Sequence, residues 1–484
     1  MFAQDLELVT VTDTSFVLTW YTADGPAPAV PGRAAGRPGP VDAPGLVRYG
    51  TRPGRLDCAA AEWGGTTPYH YVEVTGLRPG VTYYYEAVSA GAVAVPRLMP
   101  RLAIPAGGLA LPHEPAAGQA DAALASLLVA GITDSASPGR VTTLVPPPGE
   151  LLFTIALSND LHAGETAGSL GAGLPAGTAQ MPGLPPYPVV MAQAMTRDAA
   201  ARGADVLVVA GDLTAAARPD EVTVSRALLD RFGTLTLTGR LSAGDYVVVR
   251  GDHDQPGISA AGQCDCLAAD YQLPPGSLTV TEAGGLRLIG LDTAAPDAHS
   301  GVISESALAA LQDVLAERPG QPTLVFGHHP VTGHATATAI DGPAAGLNRG
   351  VAARLEALYA TAPGVFLHHS GHTHRNLRTA SPAASGVEFL EVAATKEYPG
   401  GFALLSVYQG GYMVNFYKSS TDLARQWSQV SSWQYLGLFP AYALGTTADR
   451  NHVVHRDFSA LSPLRHRTWW GQRPRSLRSD AATT

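Results

Sequence analysis

The spacing of hydrophobic residues changes part-way along the chain, and the change predicts two kinds of structure. Near the N-terminus, Phe16, Leu18 and Trp20 occupy every second position, a pattern that predicts a strand with one face in a hydrophobic core. Between residues 106 and 150 the periodicity is weak, and this stretch ends in a run of prolines. We therefore predict an all-β domain over residues 1–105, followed by a connector over 106–150 that contains a hairpin or a short helix.

From Leu151 onward, apolar runs alternate with stretches of helical spacing. This alternation predicts an α/β sandwich over 151–420 whose ligands bind beyond the carboxyl ends of the strands. Residues 421–484 hold several aromatic residues and then a basic tail, and we expect them to wrap around the body of the protein. The strands are predicted within 151–162, 204–212, 245–254, 286–293, 323–330, 364–374, 386–394 and 401–418, and the helices within 187–202, 224–232, 304–316 and 351–360.

Composition places the chain among globular proteins and argues against two classes of partner. Its 484 residues are enough for about two to four domains. The net charge of -9 leaves no basic footprint for a nucleic acid, and the three cysteines form no zinc-ribbon spacing or disulfide framework. The N-terminus has no signal-peptide pattern, and no apolar run is long enough to span a bilayer. We expect a soluble, cytoplasmic protein without a membrane segment.

Five of the predicted strands end in side chains that can bind a metal ion. One such end could arise by chance, but five in one domain are hard to explain by packing, because polar groups of this kind are costly to bury unpaired. Carboxylates and imidazoles are common ligands of divalent metals. The residues at these ends are Asp160, His162, Asp212, Asp252, His253, His328, His372 and His374.

Taken together, these strand ends resemble the motifs of the calcineurin-like metallophosphoesterase family, which run D-x-H, G-D, G-N-H-D, H-x-P and G-H-x-H. The resemblance covers about 270 residues and implies a four-layer α/β/β/α sandwich. It implies that one metal ion is held by Asp160, His162 and His374, a second by Asp252, His328 and His372, and that Asp212 bridges them. Since His328 lies two residues before Pro330, it matches H-x-P better than the alternative, His329.

The same resemblance implies a dinuclear centre of divalent or transition metals (Mn, Fe, Zn or a mixture). In such centres a metal-bridged hydroxide attacks a phosphoryl group, and His253 would stabilise that group or protonate the leaving oxygen. The expected substrate is a small phosphorylated molecule, either a phosphomonoester or a phosphodiester. The alternative is a degenerate, non-catalytic scaffold that acts as a binding module. The sequence leaves the oligomeric state open.

The N-terminal domain carries a second resemblance. Leu77, Pro79, Gly80 and Tyr83 form an L-x-P-G-x-x-Y pattern that is similar to the corner of fibronectin type III domains, in which the tyrosine hydroxyl bonds to nearby backbone. Purple acid phosphatases also carry such a domain, but they supply a tyrosine where this chain has Ala215. The comparison therefore implies a related architecture without a tyrosinate–iron centre.

One position departs from the family pattern, because Asp252 stands where G-N-H-D has asparagine. A carboxylate can still bind a hard cation, and its extra charge predicts tighter metal binding but weaker attraction for a dianionic phosphate. An Asp252→Asn variant with unchanged metal affinity and pH profile would contradict this hypothesis. Other candidates are Arg349 and Asn348 as substrate contacts, and Glu165 at the start of a Gly/Pro-rich loop that could cover the site.

Overall fold

The computed structural model describes residues 1–26, 38–105, 128–132, 139–168, 178–255, 265–296 and 298–464. Parts of the connector and of the predicted loop over the site, Cys264 and the basic tail lie outside these residues. No helix among the described residues is long and apolar enough to cross a lipid bilayer.

The N-terminal part of the chain forms two antiparallel sheets, which confirms the all-β expectation. One sheet has the order β1-β2-β5 and the other β10-β6-β3-β4, with β7 paired to β6. The backbone N–H of Arg78 donates to the Tyr83 hydroxyl over 3.0 Å, as the resemblance to the fibronectin corner implied. The strands are β1 (Phe2–Val11), β2 (Phe16–Ala23), β3 (Ala43–Gly50), β4 (Cys58–Thr67), β5 (Tyr69–Val74), β6 (Thr82–Ser89) and β7 (Ala92–Val93), with β10 (Arg140–Thr142).

Strand β10 comes from the segment that we predicted to be a connector. It pairs with β6 in antiparallel register, with Val141 opposite Tyr83. Two other short strands, β8 (Pro100–Leu102) and β9 (Leu128–Ile132), pair with each other. The connector therefore contributes an edge strand to the N-terminal domain, while the domain boundaries themselves stay a prediction.

Two seven-stranded sheets form the centre of the larger domain. Their orders are β13-β15-β12-β11-β22-β23-β24 and β14-β16-β17-β18-β19-β21-β20. The first seven of these strands in the chain are β11 (Leu151–Ser158), β12 (Val206–Ala210), β13 (Thr234–Leu235), β14 (Thr238–Arg240), β15 (Asp245–Val249), β16 (Leu278–Ala283) and β17 (Leu286–Leu291). The others are β18 (Thr323–Gly327), β19 (Val365–Ser370), β20 (Leu377–Ala380), β21 (Glu388–Glu391), β22 (Gly401–Tyr408), β23 (Gly411–Lys418) and β24 (Asn451–His455).

Helices cover the outer faces of the two sheets, which gives the expected α/β/β/α layers. The largest hydrophobic core includes residues of both sheets, such as Leu157 and Phe326, and a second core lies between the second sheet and its helices. The helices are α1 (Tyr187–Ala201), α2 (Pro219–Leu229), α3 (Cys266–Asp270), α4 (Glu305–Glu317), α5 (Gly333–Ala337), α6 (Arg349–Ala360), α7 (Asp422–Ser431), α8 (Gln434–Gly437), α9 (Phe439–Ala443) and α10 (Thr447–Arg450). Short 3-10 helices occupy Asp252–Asp254, Gly342–Ala345 and Pro382–Ala384.

The C-terminal segment packs against this sandwich. Trp427 in α7 is buried and stacks on Tyr187 of α1 with ring centroids 4.1 Å apart. Further along, β24 extends the first sheet by pairing with β23. The described part of the segment is thus joined to the larger domain by both packing and sheet hydrogen bonds.

The predicted burial of one face of β2 is confirmed, and the other face is buried as well. Phe16 and Leu18 lie in the core of the N-terminal domain, but Val17 and Val9, on the opposite face of their sheet, belong to the largest core. A strand alternates its side chains between two faces, and here the second face packs against the larger domain. The two domains therefore share buried apolar surface.

A buried ionic network also joins the two domains. Glu7 of β1 lies 2.5 Å from Lys418 Nζ and 2.7 Å from Arg97 Nε, and it accepts a hydrogen bond from the Tyr398 hydroxyl. Burial opposes the charge of Glu7, but Lys418 and Arg97 outweigh it and lower the pKa of Glu7 to about 2. Burial also lowers the pKa of Lys418, an effect that acts at alkaline pH.

We predict that this network weakens in acid. Because the folded pKa of Glu7 lies below its ordinary value of 4.5, its contribution is complete above pH 4.5 and is lost as the pH falls towards 2. The full contribution is about 3 kcal/mol. Glu7→Gln should therefore flatten the fall in unfolding free energy across this window, as measured by denaturant titrations. An exposed control, Glu317→Gln, should keep the wild-type pH dependence, and equal slopes for both variants would contradict the prediction.

Candidate metal centre

The eight residues predicted to form the site follow the carboxyl ends of five strands, namely β11, β12, β15, β18 and β19. Within each sheet these strands run parallel to their neighbours in this set, so their carboxyl ends meet at one edge of each sheet. Five of the site residues have a left-handed backbone, which residues other than glycine rarely adopt, although Asp and His do so more often than most. Their φ angles are 51° at Asp160, 46° at His162, 53° at Asp212, 66° at His372 and 55° at His374.

Close packing of the strand ends explains two glycines of the motifs. A Cβ atom on Gly211 would lie 2.7 Å from both Gly251 N and His328 Nδ1. A Cβ atom on Gly251 would lie 2.1 Å from Asp212 Oδ1. Both distances are shorter than any tolerable contact, so a side chain at either position would push two parts of the site apart. The glycines thus permit an approach that the site requires.

The ligand-type atoms gather in overlapping groups within which all atoms lie inside 4.8 Å of one another. Asp212 belongs to two of the groups, and one of these joins it to Asp160 and His328 from the two ends of the site. This arrangement matches the expected bridging position, and the assignment of individual ligands stays a prediction. The groups are Asp160, His162, His374; Asp252, His328, His372; Asp160, Asp212, His328; and His162, Asp212, His253.

The hydrogen bonds of His328 define which of its nitrogen atoms faces the site. Its Nδ1 lies 2.8 Å from the carbonyl of Ala210, to which it must donate a hydrogen bond. Nε2 therefore faces Asp252 Oδ1, 3.1 Å away, and Asp212 Oδ2, 3.3 Å away, and in a neutral ring it would carry no proton. Two hydrogen-bond acceptors at this distance need a proton or a cation between them.

His374 and His162 repeat this arrangement. His374 Nδ1 lies 2.7 Å from Glu397 Oε1, while Nε2 faces Asp160 Oδ1 at 3.2 Å. His162 Nε2 faces Asp212 Oδ2 at 3.1 Å, and both His162 Nε2 and Asp160 Oδ1 are buried without a hydrogen-bond partner among the described residues. Buried polar atoms without a hydrogen-bond partner are expected where side chains bind a metal ion. The donor set of carboxylates and imidazoles is also one that divalent transition metals accept.

Behind the histidines of the centre lie two buried residues that the sequence analysis did not assign to it, Lys396 and Glu397, and the partly buried Glu165. Lys396 Nζ is 2.5 Å from Glu165 Oε2, and the same oxygen is 3.1 Å from His162 Nδ1. Glu397 holds His374, as described above. Such carboxylate–histidine pairs fix the orientation of metal ligands. One signal was available, since Lys396 and Glu397 are adjacent charges in an otherwise apolar segment that leads out of β21.

These pairs keep their charge in spite of burial. Burial lowers the pKa of Lys396, but Glu165 and Glu397 outweigh it, and the pKa is raised above its ordinary value. Burial likewise raises the pKa of Asp160, but His374 and His162 hold it well below its usual range. The site therefore presents ionised carboxylates at neutral pH, the form that binds cations.

The structure distinguishes His328 from the alternative, His329. His329 Nδ1 bonds to Thr293 Oγ1 at 2.8 Å, and His329 is not in any of the ligand groups found among the described residues. His253 donates from Nδ1 to the Ala215 carbonyl at 2.8 Å, which leaves its Nε2 free to face the centre. Its expected role beside the substrate stays a prediction.

The two predicted substrate contacts, Asn348 and Arg349, lie at the start of helix α6. Asn348 precedes α6 and accepts a hydrogen bond from Gly350 N at 2.9 Å, so its side chain caps the helix. Arg349 is exposed and forms no ion pair within the described part of the chain. Their contact with a substrate is still a prediction.

Comparison with known protein families agrees with this fold. The sequence model of the calcineurin-like phosphoesterase family matches residues 153–376. The chain therefore contains a calcineurin-like phosphoesterase domain, and every ligand candidate lies within the matched residues. Among curated proteins, none matches the chain in sequence.

Solved structures with similar folds include two phosphatases and PhoD. A dimetal phosphatase from Danio rerio is 15% identical with a TM-score of 0.42, and the alignment covers 55% of this chain and 96% of that chain. Purple acid phosphatase PPD1 from yellow lupin (Lupinus luteus) seeds is 12% identical with a TM-score of 0.38, covering 87% and 73%. A structure of PhoD is 12% identical with a TM-score of 0.35, covering 85% of each chain.

We predict that the carboxylates behind the histidines control metal affinity. Glu397→Gln should weaken binding of Mn²⁺ or Zn²⁺ about 10- to 100-fold, because His374 would lose a charged acceptor that orients it. Competition with a chelating dye measures this affinity. The matched control is Glu388→Gln, which changes a buried carboxylate 2.8 Å from His452, a histidine outside the centre. Similar metal affinities for the two variants would show that Glu397 has no special role.

Proposed function

We propose that the protein is a phosphoesterase that depends on a dinuclear metal centre and hydrolyses phosphate esters of small molecules. The observation that carries the proposal is the set of imidazole nitrogens turned towards carboxylate oxygens at 3.1–3.3 Å. Asp160, His162 and His374 would hold one ion, Asp252, His328 and His372 the other, and Asp212 would be shared. Two metal ions in such a site supply an activated water and charge stabilisation.

The side chains around the ions would orient the substrate and move protons. His253 is only partly buried, and its backbone N–H donates to Asp212 Oδ1 at 3.0 Å. Since its Nδ1 is committed to a backbone carbonyl, its Nε2 would meet the phosphoryl group or the leaving oxygen. Asp254 fixes this segment, because its carboxylate accepts hydrogen bonds from the backbone N–H groups of Leu213 and Thr214.

Charge around the centre favours phosphodiesters over phosphomonoesters as substrates. Five segments that follow ligand-bearing strands or β17 contain no lysine or arginine. They are 163–186, 213–217, 255–264, 292–303 and 330–348. Three ligand carboxylates also offset most of the charge of two divalent ions, and Asp341 adds an acidic group near His372 and His299.

A phosphodiester carries one negative charge, whereas a phosphomonoester carries close to two at neutral pH. Arg375, which follows His374, is buried and paired with Glu391 Oε2 at 3.0 Å, so it is not available to a second phosphate charge. We therefore propose the diester as the preferred class.

Hydrolysis of bis-(p-nitrophenyl) phosphate should be faster than hydrolysis of p-nitrophenyl phosphate.

The shared carboxylate provides the main test of the proposal. Asp212→Asn should reduce bound metal from about two equivalents to one or fewer, and should lower hydrolysis of both model esters at least about 100-fold. Asparagine tolerates the left-handed backbone at this position, so the variant should fold. Elemental analysis and ester assays on the same sample measure both effects, with the exposed Asp457→Asn as control. A wild-type protein that binds no metal and hydrolyses neither ester would instead support the binding-scaffold alternative.

A second test separates chemistry from metal binding. His253→Gln should keep the metal content but lower kcat by about 100- to 10,000-fold, the usual contribution of a general acid or base. His253 also lies in a group of potential ligands with His162 and Asp212. Loss of one metal equivalent in His253→Gln would therefore identify it as a ligand and contradict its role beside the substrate.

A further inference from the structure

His299 lies at the edge of the proposed centre, although none of the sequence motifs includes it. Its side chain is 74% exposed, and its Nδ1 is 3.3 Å from Asp252 Oδ2. The other oxygen of Asp252, Oδ1, faces His328 Nε2 and His372 Nδ1, each at 3.1 Å. The two oxygens of this carboxylate thus have different partners: Oδ1 faces histidines of the centre, and Oδ2 faces the exposed His299.

The contact involves the position at which this chain departs from the family pattern. An asparagine at position 252 could present its single oxygen to the centre, but its outward atom would then be an NH₂ group. That group is an uncharged hydrogen-bond donor, so it could pair with His299 only when Nδ1 of the ring is unprotonated. A carboxylate has a second, charged oxygen that accepts from the ring N–H and attracts a protonated ring, so Asp252 should hold His299 more strongly than asparagine would.

The backbone close to His299 is held in place. Gly301 N donates to the Gly346 carbonyl, and Asn348 N donates to the Gly301 carbonyl, both at 3.0 Å. Val302 N donates to the Thr293 carbonyl at 2.9 Å. A Cβ atom on Gly301 would lie 2.6 Å from His329 Cγ, so the segment also packs closely against the centre. These contacts fix the backbone that directly follows His299.

We propose that His299 is a positioning residue that holds the outer oxygen of Asp252, so that this carboxylate presents one oxygen to the centre as an amide would. The inference rests on the proposed metal centre but not on the identity of the substrate. It predicts that the effect of His299 on metal binding depends on the residue at position 252.

Four proteins test the inference: the wild type, His299→Ala, Asp252→Asn and the double variant. With Mn²⁺ or Zn²⁺ in competition with a chelating dye, His299→Ala should weaken binding of one equivalent about 10-fold in the wild-type background. In the Asp252→Asn background the same change should alter affinity less than about 2-fold, because the charged acceptor that His299 holds is already absent. His299→Gln, which keeps an N–H donor, should restore most of the affinity.

The control is His455→Ala, which removes another exposed histidine, located in β24, and should leave metal affinity unchanged. Equal weakening by His299→Ala in both backgrounds, or no weakening in the wild-type background, would overturn the inference. Ester hydrolysis is measured on the same samples. A wild type that binds metal without hydrolysing either ester would refute the proposed function, while the metal titrations would still decide the role of His299.

Discussion

The site depends on one demanding arrangement, in which buried imidazole nitrogens face ionised carboxylates and need a positive charge between them. His328 and His374 each use Nδ1 to donate to a fixed acceptor, the Ala210 carbonyl and Glu397, so Nε2 must face inward. Without a positive charge between them, these nitrogens and the oxygens of Asp252 and Asp160 would repel one another in a buried region. The fold brings them together nevertheless. A cation is the simplest physical reason for a protein to maintain such a geometry.

The scaffold holds this arrangement by backbone geometry that few sequences tolerate. Left-handed φ angles at five site residues cost roughly 1–3 kcal/mol each, and the glycines at 211 and 251 are required by contacts of 2.7 Å or less. Local strain of this size persists only where surrounding structure compensates for it. Here the buried strands β11, β12 and β19 precede the strained residues, and Leu161 between Asp160 and His162 is fully buried.

Much of the fold was predictable from the sequence, because long apolar runs and helical spacing are local signals. Strands β11, β12, β15, β18 and β19 and helix α4 lie where the pattern predicts them. The ligand candidates were predictable for the same reason, since each lies directly after such a run. The sequence favoured His328 over His329 only because His328 lies two residues before Pro330. In the structure the two histidines differ in their hydrogen bonds.

The residues that sequence reasoning missed act across long separations. Lys396 reaches Glu165 from 231 positions away, and His299 reaches Asp252 from 47 positions away. Neither pair has a local pattern, because each contact exists only after the sheets have assembled. The burial of Val17 and the pairing of β10 with β6 were missed for a related reason. Each of these two features depends on contact with a distant part of the chain, and the spacing of hydrophobic residues along one segment does not predict such a contact.

The contacts of Glu7 connect the N-terminal domain to the centre. Glu7 accepts a hydrogen bond from the hydroxyl of Tyr398 over 2.7 Å, and Tyr398 directly follows Glu397, the residue that orients His374. Lys396, on the other side of Glu397, holds Glu165 beside His162. One segment of three residues therefore contacts the N-terminal domain and both carboxylate–histidine pairs. The N-terminal domain therefore packs against the same segment of the chain that orients the histidines of the metal centre. The domain interface and the centre use different charged groups, but both depend on the position of this segment.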